Sequence, residues 1–159
     1  MPNVLAVVLL ILRWVHFLGG VIWFGTMIYL GIVQFPTIGR NGAAKVSSDS
    51  VSRLNILLVV ASVLSAVTGV SIALMISGLD TGVFTATGWG LSVFFGGLFT
   101  LIALVTTFAK VLPALERLSS GTLSNTEERR AAREGQNWVN ATVVLGVLVL
   151  LLMASAGSL

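Results

Sequence analysis

The sequence predicts an all-α integral membrane protein, a four-helix bundle with both termini on the outer side of the membrane. Three observations lead to this prediction. Hydrophobic residues make up 56% of the chain and charged residues only 9%, a balance that no soluble domain of 159 residues needs for its core. Four apolar runs are long enough to cross a bilayer. The basic residues are concentrated in two of the three loops that join these runs.

The apolar runs define four spans. A segment that crosses about 30 Å of hydrocarbon needs about 20 apolar residues. Because backbone groups in lipid must be satisfied within the segment, and because the runs lack the alternation of a barrel strand, they are predicted to be helices. The predicted spans cover residues 4–35, 54–77, 89–112 and 138–156, within one domain of residues 1–159. No positively charged region precedes the first run, so we expect a retained helix and not a signal peptide.

Loop charge predicts the orientation. The first loop carries Arg40, Lys45 and Arg53, and the middle loop has only Asp80. The third loop contains five basic residues, which are Lys110, Arg117, Arg129, Arg130 and Arg133. By the positive-inside rule, the first and third loops face the cytoplasm and both termini face outward. We expect the cytoplasmic membrane of a prokaryote as the location, and no nucleic-acid partner, since no recognition module accompanies the basic residues.

The third loop is predicted to contain its own helix. Pro113 and the turn SSGT are expected to end the third helix. Ser124, followed three residues later by Glu127, is typical of a capping box. The box predicts a basic helix over about 125–137 that continues into the fourth span. This helix is expected to lie along anionic lipid headgroups, or else to be a solvated connection between two spans.

Small residues predict where two helices touch. In the second span Ala61, Ser65, Gly69 and Ala73 recur every four residues. Such a stripe allows a neighbouring backbone to approach closely. We therefore expect this face of the second span to pack against another helix.

The first span holds the only histidine of the chain, His16, with Arg13 before it and Gly20 after it. The spacing i, i+3, i+7 puts all three on one helical face, which Trp23 continues. Ionisable residues inside a span are functional candidates, because burying them without a partner is costly. Imidazole is a common metal ligand. This pattern fits a haem site. His16 would be the axial ligand, Gly20 would leave a flat surface for the macrocycle, and Arg13 would pair with a propionate group.

Other interpretations of this face stay open. His16 could hydrogen-bond a carbonyl group on the next helix while Arg13 reaches the outer headgroups, or His16 could bind copper. Met75 and Met153 are candidates for a second axial ligand, because helix lengths allow either to reach the level of His16. The alternatives to a methionine ligand are an open sixth coordination position on the iron and His16 of a second copy of the chain. Cysteine is absent, which excludes thiolate ligands and covalent c-type haem attachment.

The first span also resembles a known family. Its sequence RWVHFLGGVIWFGTMIYLGIVQFP is similar to the first helix of the copper-resistance protein D (CopD) superfamily, with an aromatic–x–His element, a Trp-x-Gly and a proline near the cytoplasmic end. VTGV, TGWGLSVFF and LPALERL extend the resemblance along the chain. Within that group the first helix resembles the HemJ-type protoporphyrinogen oxidases, in which His16 matches the position of a haem ligand. Those oxidases have a lysine early in the third helix where GWGLSVFFGGLF has none, so the resemblance leaves the oxidase activity open.

The function expected from these observations is binding of haem b at His16, for electron transfer or haem-linked redox chemistry. The alternatives are CopD-like copper transport or binding, and a cofactor-free scaffold subunit of a larger membrane complex. The first run is longer than one crossing requires, which is compatible with packing against another protein. The membrane region contains no paired carboxylates, nucleophile–base pair or phosphate loop, so no residues are assigned to catalysis.

Overall fold

The computed structural model describes residues 4–41 and 48–156, which form helices joined by short turns and contain no strand. The α-helices are α1 (Val4–Tyr29), α2 (Phe35–Asn41), α3 (Ser48–Ser77), α4 (Val83–Ala86), α5 (Gly88–Thr106), α6 (Leu112–Ser119) and α7 (Asn125–Ala156). Two π-helical turns, Leu30–Gln34 and Thr107–Val111, join α1 to α2 and α5 to α6.

The predicted four-helix membrane bundle is confirmed. Four helices are long and apolar enough to cross a membrane, namely Val4–Arg40, Asp49–Ser77, Gly88–Ser119 and Asn125–Ala156. Each contains one predicted span and extends beyond it at the end where the basic loops lie. Lys45 and the chain ends lie outside the described residues, so the orientation of the bundle stays a prediction.

The two π-helical turns each lie directly before a proline. Pro36 and Pro113 have no N–H group to donate, and each ring would clash with the carbonyl group four residues earlier in a regular α-helix. The chain widens at these points. The N–H groups of Phe35 and Leu112 bond the carbonyl oxygens of Leu30 and Thr107, five residues back. Pro113 does not end the third helix, because this wider turn relieves the clash. The helix runs on to Ser119 and ends at the SSGT turn, as expected for that turn.

The capping box at the start of α7 is confirmed. The backbone N–H and the hydroxyl group of Ser124 donate to Oε2 of Glu127 at 2.9 and 2.6 Å. The N–H of Glu127 donates in return to the Ser124 hydroxyl at 3.5 Å. Because nothing interrupts α7 after this cap, the loop helix and the fourth span form one continuous helix of 32 residues.

Aromatic rings of the first span rest on glycines of α7. The Phe24 ring occupies the space that a Cβ at Gly146 would need, and the Phe35 ring does the same at Gly135. Along the rest of the bundle α1 packs mainly against α3, and α5 packs mainly against α7. The bundle is thus two helix pairs joined by contacts between the first span and α7.

The large buried side chains lie in one half of the bundle, which we call the base. The base comprises residues 23–41, 48–63, 100–119 and 125–146, and its core includes Phe35, Ile38, Leu115 and Val139. We call the other half, residues 4–22, 64–77, 88–99 and 147–156, the upper half. The buried residues described there are Gly19, Ser65, Thr68, Gly90, Ser92 and Gly96. No side chain larger than threonine is buried in the described part of the upper half, so this half has no packed apolar core of its own.

Candidate functional site

His16 lies in the upper half, at the contact between α1 and α3. Its ring is half-buried, and Nδ1 lies 2.7 Å from the backbone carbonyl oxygen of Ser65. A carbonyl oxygen can only accept a hydrogen bond, so Nδ1 must carry the proton and donate it. In the neutral ring this leaves the lone pair of Nε2 available. A histidine that binds a metal through Nε2 is commonly oriented by this kind of Nδ1–H bond.

Gly69 provides the space that the His16 ring occupies. A Cβ at Gly69 would lie 2.7 Å from Cε1 and 3.0 Å from Nδ1 of His16. One turn further along α1, a Cβ at Gly19 would lie 2.9 Å from the carbonyl oxygen of Ala61. The small-residue face of α3 therefore packs against α1 as predicted, and the ring is held between the two helices.

Gly20 lies beside Ser65. A Cβ at Gly20 would be 3.5 Å from the Ser65 hydroxyl oxygen, which itself donates to the backbone carbonyl of His16 at 3.3 Å. The structure thus places Gly20 next to α3, and its contact with a planar macrocycle stays a prediction.

Arg13 is exposed, one turn from His16 towards the N-terminus of α1. No residue of the described chain forms an ion pair or a hydrogen bond with its side chain. The guanidinium group is therefore available to an anion at the upper end of the bundle.

The register between α1 and α7 places Met153 near the level of His16. A Cβ at Gly31 would lie 3.1 Å from Cγ1 of Val139, and Phe24 rests on Gly146. From the Gly31–Val139 contact to the Phe24–Gly146 contact, the position moves back seven residues in the first span and forward seven residues in α7. A further step of seven residues along each helix brings position 17 of the first span level with Met153. Seven residues are about two turns, so Met153 also shares the helix face of Gly146.

Met153 is partly accessible within this upper half. Its side chain is 37% exposed. Its Cε would lie 3.1 Å from a Cβ at Gly96 of α5, so the thioether extends over a glycine and not over a bulky side chain. Met153 therefore remains a candidate ligand, on a neighbouring helix and near the level of His16.

The structure separates Met75 from His16. Met75 is six residues beyond Gly69, which is about 9 Å further along the helix and about 120° around it. Together with Leu5, Leu74, Gly78 and Leu79 it lines a shallow groove near the upper end of the bundle. Of the two methionines, only Met153 shares the level of His16.

Helical spacing predicts that Trp23 lies on the same face as His16, but it assigns Trp23 no role. Its side chain is 7% exposed, and its buried Nε1–H group has no hydrogen-bond acceptor in the described part of the protein. Trp23 lies two turns from His16 towards the base. A buried indole N–H usually finds a partner, so this donor is free for a bound group or a water molecule.

The ligand set available to a bare metal ion is small. Among the described residues there is no group of three or more His, Cys, Asp or Glu side chains that could hold one. No family model, curated protein or solved structure matches the chain. A function is therefore inferred from the geometry around His16.

Proposed function

We propose that this membrane protein binds one haem b in the upper half of the bundle, with Nε2 of His16 as an axial ligand. The bound haem would serve electron transfer or haem-linked redox chemistry. The observation that carries the proposal is the hydrogen bond from Nδ1 of His16 to the Ser65 carbonyl, which would leave Nε2 available for iron. The same bond is expected if His16 only packs against α3, so the haem content of the wild-type protein decides between the two interpretations.

Three further residues fit the same group. Arg13 carries a cation one turn from His16, suited to a haem propionate. Trp23 holds a buried donor on the same face. Met153 offers a thioether at the same level on α7, and a second copy of the chain is the alternative source of a sixth ligand. The resemblance of the first span to HemJ-type proteins agrees with His16 as the axial residue.

A haem fits this chain better than a bare copper ion. A porphyrin brings four nitrogen ligands of its own, so the protein needs to supply only one or two. A copper ion without a macrocycle would depend on His16 and thioethers alone, since the chain has one histidine and no cysteine. The ligand count therefore favours the haem over the copper carrier.

The absorption spectrum of the purified wild-type protein tests the proposal directly. After expression with ample haem supply, we expect a Soret band that shifts when dithionite reduces the protein. Wild-type protein that is fully folded but colourless would contradict the proposal. Copper that wild type retains and His16→Ala loses would support the copper alternative instead, and a cofactor-free protein that co-purifies with stable partners would support the scaffold.

A pair of methionine variants tests the second ligand. Met153→Leu is expected to keep the haem content but to lower the reduction potential and change the spectrum, because thioether ligation raises the potential. Met75→Leu is the matched control and should leave both unchanged, since Met75 lies at a different level and on a different face of its helix. The measurement is a redox titration of the two variants. A change confined to Met75→Leu would show that Met153 is not the second ligand.

A further inference from the structure

The first turns of α7 carry a basic face. Arg129, Arg130 and Arg133 are exposed, and with Asn125 and Thr126 they line an open concave surface. Residues three and four positions apart are neighbours on a helix, so the arginines share one side with Thr126. Three arginines that line one open concave surface suit a phosphate, which accepts bidentate hydrogen bonds from arginine.

The acidic residues of this segment lie beside Arg130 or on the side towards the bundle. Glu127 and Glu134 are seven residues apart and flank Arg130, at three and four positions from it. The Glu127 carboxylate is also engaged by Ser124. Glu128 is half-buried and lies one turn before the buried Ala132, on the side towards the bundle. In the described part of the chain neither Glu127 nor Glu134 forms an ion pair with the three arginines, so these two carboxylates leave the arginine charge available to an external anion.

The basic face lies at the depth of lipid headgroups. Trp138 begins the predicted fourth span, and Nζ of Lys110 lies 5.5 Å from the centre of its ring. Tryptophan is enriched at the membrane–water interface. Arg133 is five residues from Trp138, about 7.5 Å along the helix, and Arg129 is about 13.5 Å away. Headgroups extend about 5–8 Å beyond the hydrocarbon on each side, so Arg133 lies within the headgroup layer. Arg129 and Arg130 lie beyond it, within about one side-chain length of its aqueous edge.

We propose that Arg129, Arg130 and Arg133 form a binding site for the phosphate of an anionic phospholipid headgroup. The site is specific because it concentrates three exposed arginines on one side of a helix. It would hold α7 against the membrane surface where that helix leaves the bilayer. The inference does not depend on haem binding, since the site lies at the opposite end of the bundle from His16.

Retention of lipid by the full-length protein in neutral detergent tests this site. The protein is offered equal amounts of phosphatidylglycerol and phosphatidylcholine, and the bound lipid is counted by native mass spectrometry. We expect wild type to retain phosphatidylglycerol preferentially. R129Q/R130Q/R133Q should lower that preference by about a hundredfold, on the scale expected for three basic residues at a membrane surface. R129K/R130K/R133K should retain part of it, because lysine keeps the charge but loses the bidentate geometry.

The matched control removes three other exposed arginines from the same end of the bundle, in R40Q/R53Q/R117Q. We expect this variant to retain phosphatidylglycerol like wild type, with both glutamine variants equally helical by circular dichroism. Equal losses in the two variants would overturn the site in favour of diffuse attraction to the basic end. Inorganic phosphate that displaces the lipid from wild type at equal concentration would overturn the lipid assignment and indicate a site for free phosphate.

Discussion

His16→Ala is expected to abolish the Soret absorption of the purified protein while the four-helix bundle still inserts into the membrane. The substitution removes the nitrogen that would bind iron, and the chain has no other histidine. The measurement is the haem content per protein, from the absorption spectrum, alongside circular dichroism of the same sample. Wild-type haem content in His16→Ala would show that another residue is the ligand.

Two variants separate ligation from packing at this position. His16→Phe keeps a ring over Gly69, as Phe24 and Phe35 do over their glycines, but cannot bind iron. It should lose haem while the bundle stays folded, with a loss of about 1 kcal/mol for the missing hydrogen bond to the Ser65 carbonyl. Ser65→Ala removes the hydroxyl group and keeps the backbone carbonyl that accepts from Nδ1, so it should bind haem nearly as wild type does. Arg13→Ala should weaken haem binding and not abolish it, because a charge-assisted contact contributes about 1.5–3 kcal/mol.

Gly69→Leu is expected to destabilise the bundle by about 1–3 kcal/mol or more, the cost of overpacking a close contact. Even a Cβ at this position would lie 2.7 Å from Cε1 of His16. The larger side chain must therefore displace the ring and separate α1 from α3. The measurement is the midpoint of thermal unfolding in detergent, which should fall clearly relative to wild type.

The control for this variant is Gly25→Leu, which adds the same side chain at an exposed position of α1 where a Cβ would have nothing within 4 Å. It should leave the midpoint nearly unchanged. The double variant His16→Ala/Gly69→Ala should be more stable than Gly69→Ala alone, because removal of the ring makes room for the new methyl group. Equal effects of Gly69→Leu and Gly25→Leu would show that Gly69 faces lipid.

Local sequence was enough to predict the helices of this chain. The four spans follow from apolar length, and the start of α7 follows from Ser124 and Glu127, whose mutual hydrogen bonds depend on residues three positions apart. The course of the third helix past Pro113 was not predicted. Whether a proline ends a helix or is accommodated by a wider turn depends on the packing around it, and its own neighbours in sequence do not specify that packing.

The small-residue face of α3 shows what the sequence predicts and what only the structure adds. Spacing alone predicted that Ser65 and Gly69 contact another helix, because small side chains at every fourth position are a property of one helix. The identity of the partner required the structure, which places α1 there and the His16 ring over Gly69. The acceptor for His16 left no signal in the sequence, because it is a backbone carbonyl and every residue has one.

By itself, the sequence determined that this is a four-helix membrane protein with a single histidine in its first span, since hydropathy and composition act residue by residue. Tertiary structure decided which of two methionines lies level with that histidine. Helix lengths allowed both Met75 and Met153. The contact of Phe24 with Gly146 places Met153 level with His16, and the contact of His16 with Gly69 places Met75 about 9 Å further along α3. Register and rotation depend on how side chains of two helices interlock, and a pattern within one helix does not contain that information.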